Sequence, residues 1–322
     1  MNTFGNRLKI TIFGASHSPE MGVVVDGVPA GVGISGADFT DDIARRAPSA
    51  QGTTQRRESD IPHICSGVCS GVSTGAPVCI KFFNEDTRSG DYAQFADIPR
   101  PGHADYAASI RYGGMNDARG GGQFSGRMTL PLVAAGVLAK KLIPGIECRA
   151  RLVEVGGSQD PSSWDGLVAE AAGAGDSLGG VVECVISGVP VGFGEPFFDS
   201  VESMLSHAVF SIPGVRGIEF GDGFAAAAMR GSQHNDPFTE NGPAKNGAGG
   251  VNGGLSNGAP IVFRVAFKPA SSISMPQETY NFAARRMDTL RIGGRHDVCF
   301  ALRTPVIVEA VAAIVMADLA MS

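Results

Sequence analysis

A seven-residue motif occurs twice in the chain, and the two copies are separated by half of its length. Gly-Val-Pro-Ala-Gly-Val-Gly at residues 27–33 recurs as Gly-Val-Pro-Val-Gly-Phe-Gly at residues 188–194, an offset of 161 in a chain of 322 residues. Each copy follows an apolar, β-rich run and precedes a segment of helical character. We therefore predict a duplicated strand–turn–helix unit with an internal pseudo-twofold, in a single domain of residues 1–322 with halves of about 1–160 and 161–322. Chance similarity in a chain rich in glycine, valine and proline is the alternative.

Hydrophobic periodicity predicts alternating strands and helices along the chain. Strands are expected over residues 8–13, 21–28, 61–68, 78–83, 181–186 and 261–267. Helices are expected over residues 38–46, 125–142, 164–172, 198–210 and 305–320. The last helix is apolar nearly all round, so we expect it to be buried. Lys140 and Lys141 end one apolar stretch, and Glu309 and Asp318 interrupt the other, so neither is expected to span a membrane.

Charge and cysteine content limit the function. The net charge of −6 argues against nonspecific nucleic-acid binding, so an anion site must be a local arginine cluster. The six cysteines are scattered and do not form a zinc-ligand set, so no metal site is expected. The first residues lack the apolar core of a signal peptide, and the cysteines are expected to be thiols in a reducing compartment. These features predict a cytoplasmic protein.

The strongest functional signal is the glycine- and arginine-rich stretch at residues 100–127. It contains His103 among seven glycines, with Arg100, Arg119 and Arg127 along its length. A glycine-rich loop that leads into a helix presents free N–H groups to an anion, and histidine titrates near neutral pH. The stretch predicts a pocket for a phosphorylated or otherwise anionic ligand, with His103 as an acid or base. Plain turns and a structural histidine are the alternative, with about equal support.

A second histidine and a group of four arginines also lie in the first sixty residues. His17 is flanked by two serines in the loop between the first two predicted strands, where functional residues are often found. A solvated turn residue would fit this position equally well. Arg45, Arg46, Arg56 and Arg57 fall within thirteen residues, which is more than the capping of a helix requires. Paired arginines are suited to bind carboxylate or phosphate.

With these residues identified, the chain resembles the chorismate synthases over essentially its whole length. The resemblance rests on eight runs in the same order: FGASH at 13–17, TTQRRE at 53–58, RPGHAD at 100–105, GGVV at 179–182, GEP at 194–196, RGS at 230–232, KPASS at 268–272 and GRHD at 294–297. Each run is weak alone, and all of them in order are highly specific. The fold that the resemblance implies is α+β, a β-α-β sandwich with a helical layer between antiparallel sheets, assembled as a homotetramer.

The activity that the resemblance implies is that of a carbon–oxygen lyase. The family converts 5-enolpyruvylshikimate 3-phosphate to chorismate by an anti-1,4-elimination of phosphate, the last step of the shikimate pathway. Reduced FMN is required but not consumed, and NADPH is one reductant that the resemblance allows. A non-catalytic relative that binds flavin or phosphate is the alternative. A metal-dependent hydrolase built on His103/Asp105 and His296/Asp297 is a weaker one, because neither pair has the spacing of a metal-ligand set.

The resemblance also implies the site residues. His17 would protonate the departing phosphate, His103 would protonate the reduced flavin, and Asp297 would assist removal of the C6 proton through flavin N5. The substrate's phosphate and carboxylates would be bound by Arg46, Arg127 and Arg295, and Arg46 would also contact NADP. The flavin contacts would be Gln123, Phe124, Ser125, Pro213, Gly214, Gly253, Lys268, Pro269, Ala270, Ser271, Ser272 and Arg295.

Several positions depart from the family pattern. Ala15 stands where glutamate is usual, and Ser18 where glycine is usual. Gln123 and Met128 replace an arginine and a glutamate beside the flavin, and Gly247 replaces a histidine. Residues 49–52 lack an arginine that the family associates with NADPH, so intrinsic flavin reductase activity is not expected.

Overall fold

The computed structural model describes residues 1–87, 89–240 and 242–322, with side chains described for all of these except residues 89–91 and 93. The strands of the first half are β1 (Thr3–Phe4), β2 (Lys9–Gly14), β3 (Glu20–Asp26), β4 (His63–Ser66), β5 (Val68–Cys69), β6 (Val72–Ser73) and β7 (Val78–Phe83). Its helices are α1 (Thr40–Arg46), α2 (Asp105–Arg111) and α3 (Thr129–Leu142).

The second half also consists of strands and helices that follow one another along the chain. Its strands are β8 (Glu147–Val155), β9 (Gly180–Ser187), β10 (Val215–Phe220), β11 (Phe238–Thr239), β12 (Gly242–Pro243), β13 (Val251–Asn252), β14 (Leu255–Ser256), β15 (Ile261–Phe267), β16 (Gln277–Asn281) and β17 (Arg286–Leu290). Its helices are α4 (Trp164–Ala174), α5 (Val201–Val209), α6 (Gly231–His234) and α7 (Pro305–Ala320).

Two antiparallel sheets form the outer layers. The first has the strand order β1-β2-β3-β7-β4, and the second has the order β10-β15-β9-β8. Successive side chains of a strand point to opposite faces. In β7, Val78, Ile80 and Phe82 are buried, and in β9, Val182 and Ile186 are buried in the same alternating way. Each sheet therefore has one apolar face.

A helical layer covers both apolar faces. Helix α3 packs on β2, β3 and β7 of the first sheet, α7 packs on β8 and β9 of the second, and the two helices pack on each other. They approach closely at Gly136, where a Cβ atom would lie 2.3 Å from the Cβ of Ala310. Residues 306–318 of α7 are all buried. The predicted α+β architecture and the burial of the last helix are confirmed.

The two acids that interrupt α7 both have hydrogen-bond partners on other elements. Glu309 accepts hydrogen bonds from Arg45 Nη1 and Nη2 at 2.7 and 2.8 Å. Asp318, 1% exposed, accepts from the backbone N–H groups of Asn6, Arg7 and Leu8 at 2.6 to 3.0 Å. Buried carboxylates require such partners, because an unpaired one would be strongly destabilising. Asp318 thereby ties the first residues of the chain to the last helix.

Corresponding positions in the two halves make corresponding contacts. The chain order of the strands is matched, since β2-β3-β7-β4 and β8-β9-β15-β10 have the same order in their sheets. After the first motif copy, Ser73 Oγ donates to the Pro29 carbonyl at 2.6 Å. After the second, Ser256 Oγ donates to the Pro190 carbonyl at 2.6 Å. These equivalences support a single domain made of two repeated halves, which remains our proposal.

Some boundaries differ from the prediction for local reasons. The helix predicted from Ser125 starts as a 3-10 turn at residues 126–128, and α3 begins at Thr129. The helix predicted from residue 198 starts at Val201, because Ser200 caps it by accepting from the N–H of Ser203. Helix α2 and the hairpin β16–β17 were not predicted, since their apolar residues follow neither period. Among the described residues, no helix is long and apolar enough to cross a membrane.

Candidate active site

A cavity of about 300 Å³ opens where the loops after β2, before β4, before α3, after β15 and before α7 converge. It brings together most of the residues that the sequence singled out. The predicted residues that line it are His17, Arg46, His103, Phe124, Ser125, Arg127, Pro213, Gly214, Lys268, Pro269, Ala270, Ser271, Ser272, Arg295 and Asp297.

Two of the predicted flavin contacts lie elsewhere in this chain. Gln123 lines a second cavity of about 210 Å³, which it shares with Met128 and His207. Pro213 borders both cavities. Gly253 lies in the turn between β13 and β14, with a φ of 60°, and is not among the described residues that line the first cavity.

Positive charge dominates the first cavity although the chain carries a net charge of −6. Among the described residues, eight cationic side chains but only four carboxylates line it. The cations are Arg46, Arg56, Arg57, Arg100, Arg127, Lys268, Arg295 and Arg303, and the carboxylates are Glu58, Asp60, Asp86 and Asp297. A local excess of this kind attracts an anionic ligand, as the sequence predicted.

At the floor of the cavity, Asp60 bridges two buried arginines. Its Oδ2 lies 2.7 Å from Arg46 Nη2, and its Oδ1 lies 2.5 Å from Arg127 Nη1. Burial lowers the pKa of Arg46 to about 10, so the guanidinium remains charged at neutral pH. Arg46 Nε and Arg127 Nη2 are buried without a hydrogen-bond partner among the described residues. Two positive charges thus share one carboxylate, so the cluster has a net positive charge that an anionic ligand can offset.

His17 lies on the loop between β2 and β3 and is only 8% exposed. Its Nδ1 lies 3.2 Å from Ser16 Oγ, which in turn accepts from Arg56 Nη1 at 3.0 Å. Its ring meets that of Tyr92 edge to face. Burial, followed by repulsion from Arg56 and Arg119, lowers the pKa of His17 below 6.5. The imidazole is therefore mostly neutral near pH 7 in the free protein.

Three consecutive glycines lie against the loops that carry His17 and His103. Gly120, Gly121 and Gly122 have φ values of 61°, 83° and 55°, in the left-handed region that favours glycine. A Cβ on Gly120 would lie 1.9 Å from Nδ1 of His17, so the backbone packs directly against the imidazole. The glycine run is thus required by the close approach of the two loops.

His103 is held by Asp105 and Arg100. Its Nδ1 lies 2.6 Å from Asp105 Oδ1, and Arg100 binds the same carboxylate through Nε at 2.7 Å and Nη2 at 2.8 Å. Burial alone would raise the pKa of Asp105, but hydrogen bonds from Arg100 and His103 outweigh it and hold that pKa well below the usual range. Arg100 Nη2 also lies 3.1 Å from Nδ1 of His103, but the shorter contact is with Asp105, and an ionised carboxylate can only accept, so we assign the proton to Nδ1. The Nε2 atom then faces Gly121, whose Cβ would lie 3.4 Å away.

The loop after β15 forms the wall beside His103. Lys268 Nζ donates to the carbonyl of Gly102 at 2.8 Å and also contacts the hydroxyl of Ser271. Ser272 Oγ accepts from Arg100 Nη1 at 3.0 Å. Burial and the proximity of a second cation lower the pKa of Lys268. The Lys268–Ser272 loop and the histidine loop are therefore one connected unit.

Asp297 is fixed on the opposite wall. Its Oδ2 accepts from Arg303 Nη2 at 2.8 Å, and its Oδ1 accepts from Arg303 Nε at 3.1 Å and from the backbone N–H of Thr54 at 2.9 Å. Nearby, Arg295 Nη2 donates to Asp86 Oδ1 at 2.9 Å. The geometry presents Asp297 as an oriented carboxylate.

Sequence reasoning missed the partners that orient these groups. Asp60 and Arg303 were given no role in the site, and Asp105 was considered only as a metal ligand in the hydrolase alternative, yet each binds one or two predicted site residues. Two signals were available in the sequence. Asp60 closely follows the arginine-rich run, and Arg303 lies in an apolar segment next to the predicted N-cap Thr304. The described residues contain no group of three or more His, Cys, Asp or Glu side chains that could hold a metal.

Comparisons with known proteins agree over nearly the whole chain. The family model for chorismate synthase matches residues 8–321. The chorismate synthase of Chitinophaga pinensis is 54% identical over 321 residues, which cover 99% of this chain and 96% of that protein. That of Desulfovibrio desulfuricans is 43% identical, with 98% and 96% covered.

A solved crystal structure of chorismate synthase has the same fold. It is similar with a TM-score of 0.74 at 24% identity, and the match covers 98% of this chain and 92% of that one. From the family match and the identity to these relatives, we conclude that the chain belongs to the chorismate synthase family.

Proposed function

We propose that this protein is a chorismate synthase, a lyase of the shikimate pathway for aromatic amino acids. It would eliminate phosphate from 5-enolpyruvylshikimate 3-phosphate to give chorismate. The observation that carries the proposal is the cluster of Arg46, Asp60 and Arg127, in which two arginines share one carboxylate beside a cavity that also contains His17. A non-catalytic binding relative is not favoured, because the likeness to named chorismate synthases extends over 99% of the chain.

The substrate has one phosphate and two carboxylates, and the cavity offers separate cationic groups for them. We assign Arg46, Arg127 and Arg295 to these anions. Guanidinium groups bind carboxylate and phosphate through paired hydrogen bonds. Arg46 is 2% exposed and bound to Asp60, which favours substrate binding over an NADP contact for this side chain.

A reduced flavin is a general requirement of the family, and the residues of the cavity fit such a group. Gly120 lines the cavity and adds no side chain to the space that a planar ring would occupy. Lys268 supplies a cation for a phosphate-bearing cofactor. When bound, the flavin supplies electron density to the substrate and is regenerated in each turnover. We propose FMN, held by Phe124, Ser125, Pro213, Gly214, Arg295 and residues 268–272.

The chain's own residues handle protons and exclude water. His17 is neutral in the free protein, and the arrival of an anionic phosphate beside it favours the protonated form that can assist departure of phosphate. Asp297 is held by both Arg303 contacts, so its carboxyl group is oriented to accept a proton. His103, with Nδ1 protonated toward Asp105, presents Nε2 for proton exchange on the flavin side.

We also propose a cytoplasmic homotetramer. The six cysteines are free thiols, which fits a reducing compartment. Phe197, Phe198 and Phe224 are 85 to 89% exposed, and large apolar side chains at the surface often mark subunit contacts. Light scattering coupled to size-exclusion chromatography measures the assembly directly, and a monomer at micromolar concentration would refute it.

The decisive experiment is anaerobic turnover of 5-enolpyruvylshikimate 3-phosphate with dithionite-reduced FMN, following chorismate absorbance and phosphate release. We expect both products in equal amounts. A parallel reaction with NADPH in place of dithionite tests intrinsic flavin reduction, and we expect no turnover there. Arg127→Ala should abolish turnover, whereas Arg151→Ala, which alters an exposed ion pair on the outer sheet, should leave it unchanged. FMN binding without turnover in the wild type would refute the proposed activity.

A further inference from the structure

Two cysteines meet on the outer face of the first sheet, away from the cavity. Strand β4 pairs only with β7, at the edge of the sheet. Ile64 is opposite Ile80 and Ser66 is opposite Cys79, so Cys65 is the additional residue of a β-bulge. A bulge sets two residues of one strand against one residue of its neighbour. Cys65 and Ser66 thus share Cys79 as their cross-strand neighbour.

Burial shows that both thiols are on the solvent side. Val78 and Ile80 are fully buried, whereas Cys79 between them is half-buried, so it points away from the core. Cys65 is exposed. Burial, followed by the charge of Cys65 and a side-chain contact with it, raises the pKa of the Cys79 thiol. The two sulfur atoms are therefore neighbours.

We propose that Cys65 and Cys79 form a reversible intramolecular disulfide, which is a redox modification site on the outer face of the first sheet. Ser66 is the residue opposite Cys79, at the roughly 4.5–5.5 Å that separates opposite Cα atoms of antiparallel strands, and Cys65 is its neighbour in the bulge. Disulfides need a Cα separation of about 4.4–6.8 Å. The bond can thus form without a large movement of the backbone.

The chemistry requires a two-electron oxidant such as hydrogen peroxide. The thiolate of exposed Cys65 attacks the peroxide and breaks the O–O bond, and the hydroxide that leaves takes up the proton released by the thiol, which gives a sulfenic acid and one water. The thiolate of Cys79 then displaces the hydroxyl group as a second water and forms the S–S bond. Two thiols are oxidised, one peroxide is reduced, and a dithiol reductant reverses the reaction.

The bond would fix the free edge of the sheet. It would close the segment of residues 66–78 and tie β4 to β7 covalently. Strand β4 begins three residues after Asp60, so the cross-link also restrains the segment that enters the arginine cluster. In a reducing cytosol, disulfides of this kind are transient and respond to oxidants.

The test is peptide mapping of the full-length protein after reduction, graded oxidation with hydrogen peroxide and alkylation of the remaining thiols. We expect a linked pair of peptides containing Cys65 and Cys79, a monomeric band on a non-reducing gel, and full reversal by dithiothreitol. Cys65→Ser and Cys79→Ser should each remove the link. Cys69→Ser, which changes an exposed thiol on neighbouring β5, should retain it.

Circular dichroism checks that each variant is folded. In the folded protein the buried thiols should resist alkylation and react only after unfolding; these are Cys148, Cys184 and Cys299. A link from Cys69 in place of either partner would overturn the proposal. Oxidation of single cysteines to sulfinic acid, with no linked peptide in the folded wild type, would overturn it as well.

Discussion

Replacing Asp60 by asparagine tests the charge balance at the floor of the cavity. Asp60 is 6% exposed and bridges Arg46 and Arg127, so Asp60→Asn leaves two buried guanidinium groups with no carboxylate between them. Removing one partner of a buried ion pair costs about 3–5 kcal/mol. For a chain of this length that corresponds to a fall in Tm of roughly 5–10 °C. The loss should be recovered in part when an anion binds, because the ligand then supplies the missing negative charge.

Differential scanning calorimetry with and without 5-enolpyruvylshikimate 3-phosphate measures both effects. A ligand that binds only the folded state raises its stability by RT ln(1 + [L]/Kd). We therefore expect a larger ligand-induced rise in Tm for Asp60→Asn than for the wild type. Glu183→Gln is the matched control, because it breaks an exposed pair with Arg151, which is worth about 0.2–1 kcal/mol. An Asp60→Asn protein as stable as this control, or stabilised by the ligand no more than the wild type, would refute the reasoning.

Four further predictions follow from single contacts. Gly136→Ala should lower the unfolding free energy by about 1–3 kcal/mol in urea titration, since its Cβ would overlap α7, and an unchanged midpoint would contradict this packing. Gly120→Ala should reduce kcat/KM by about tenfold or more, because the new Cβ would displace His17. Wild-type kinetics in this variant would show that catalysis does not require a glycine at position 120. By NMR titration, the pKa of His17 should lie below 6.5 in the free protein and rise when the substrate binds. Its contribution to stability should be lost as the pH falls from 6.5 through that lowered pKa, since the unfolded chain takes up the proton first; a pKa at or above 6.5 would contradict the burial argument. Asp105→Asn should lower kcat by roughly 10- to 100-fold and alter the pH–rate profile through His103, whereas a mere loss of stability would leave that profile unchanged.

The regular elements could be predicted from the sequence because their signals are local. Residues 78–83, 261–267 and 305–320 have the predicted bounds, since apolar alternation or a continuous apolar run ends at a turn residue or a cap. The hairpin of β16 and β17 was missed because most of its residues are polar, so its alternating burial is not matched by an alternation of apolar residues in the sequence. The order of strands in the two sheets depends on which residues meet across long distances, and local periodicity carries no such information.

The candidate site was predictable in its residue types but not in its pairings. The loops that carry His17, His103 and Asp297 were identifiable by their glycine, arginine and histidine content. The bridge made by Asp60 was not, because it joins Arg127 across 67 positions of sequence and places the aspartate at a φ of 50°. Aspartate is among the few non-glycine residues enriched at positive φ, but this preference does not distinguish Asp60 from the other aspartates, so only the three-dimensional arrangement reveals its function.

The bond from Asp318 to the first residues has a consequence for the order in which the chain folds in the cell. The backbone N–H groups of Asn6, Arg7 and Leu8 find this acceptor only near the end of α7. At about 5–20 residues per second, the ribosome needs roughly 15–65 s to reach that point. During this time the first sheet has been synthesised, but α7, which packs against α3, has not emerged. The nascent chain therefore exposes apolar surface until α7 has been synthesised, and the fold can close only once the segment that carries Asp318 has emerged.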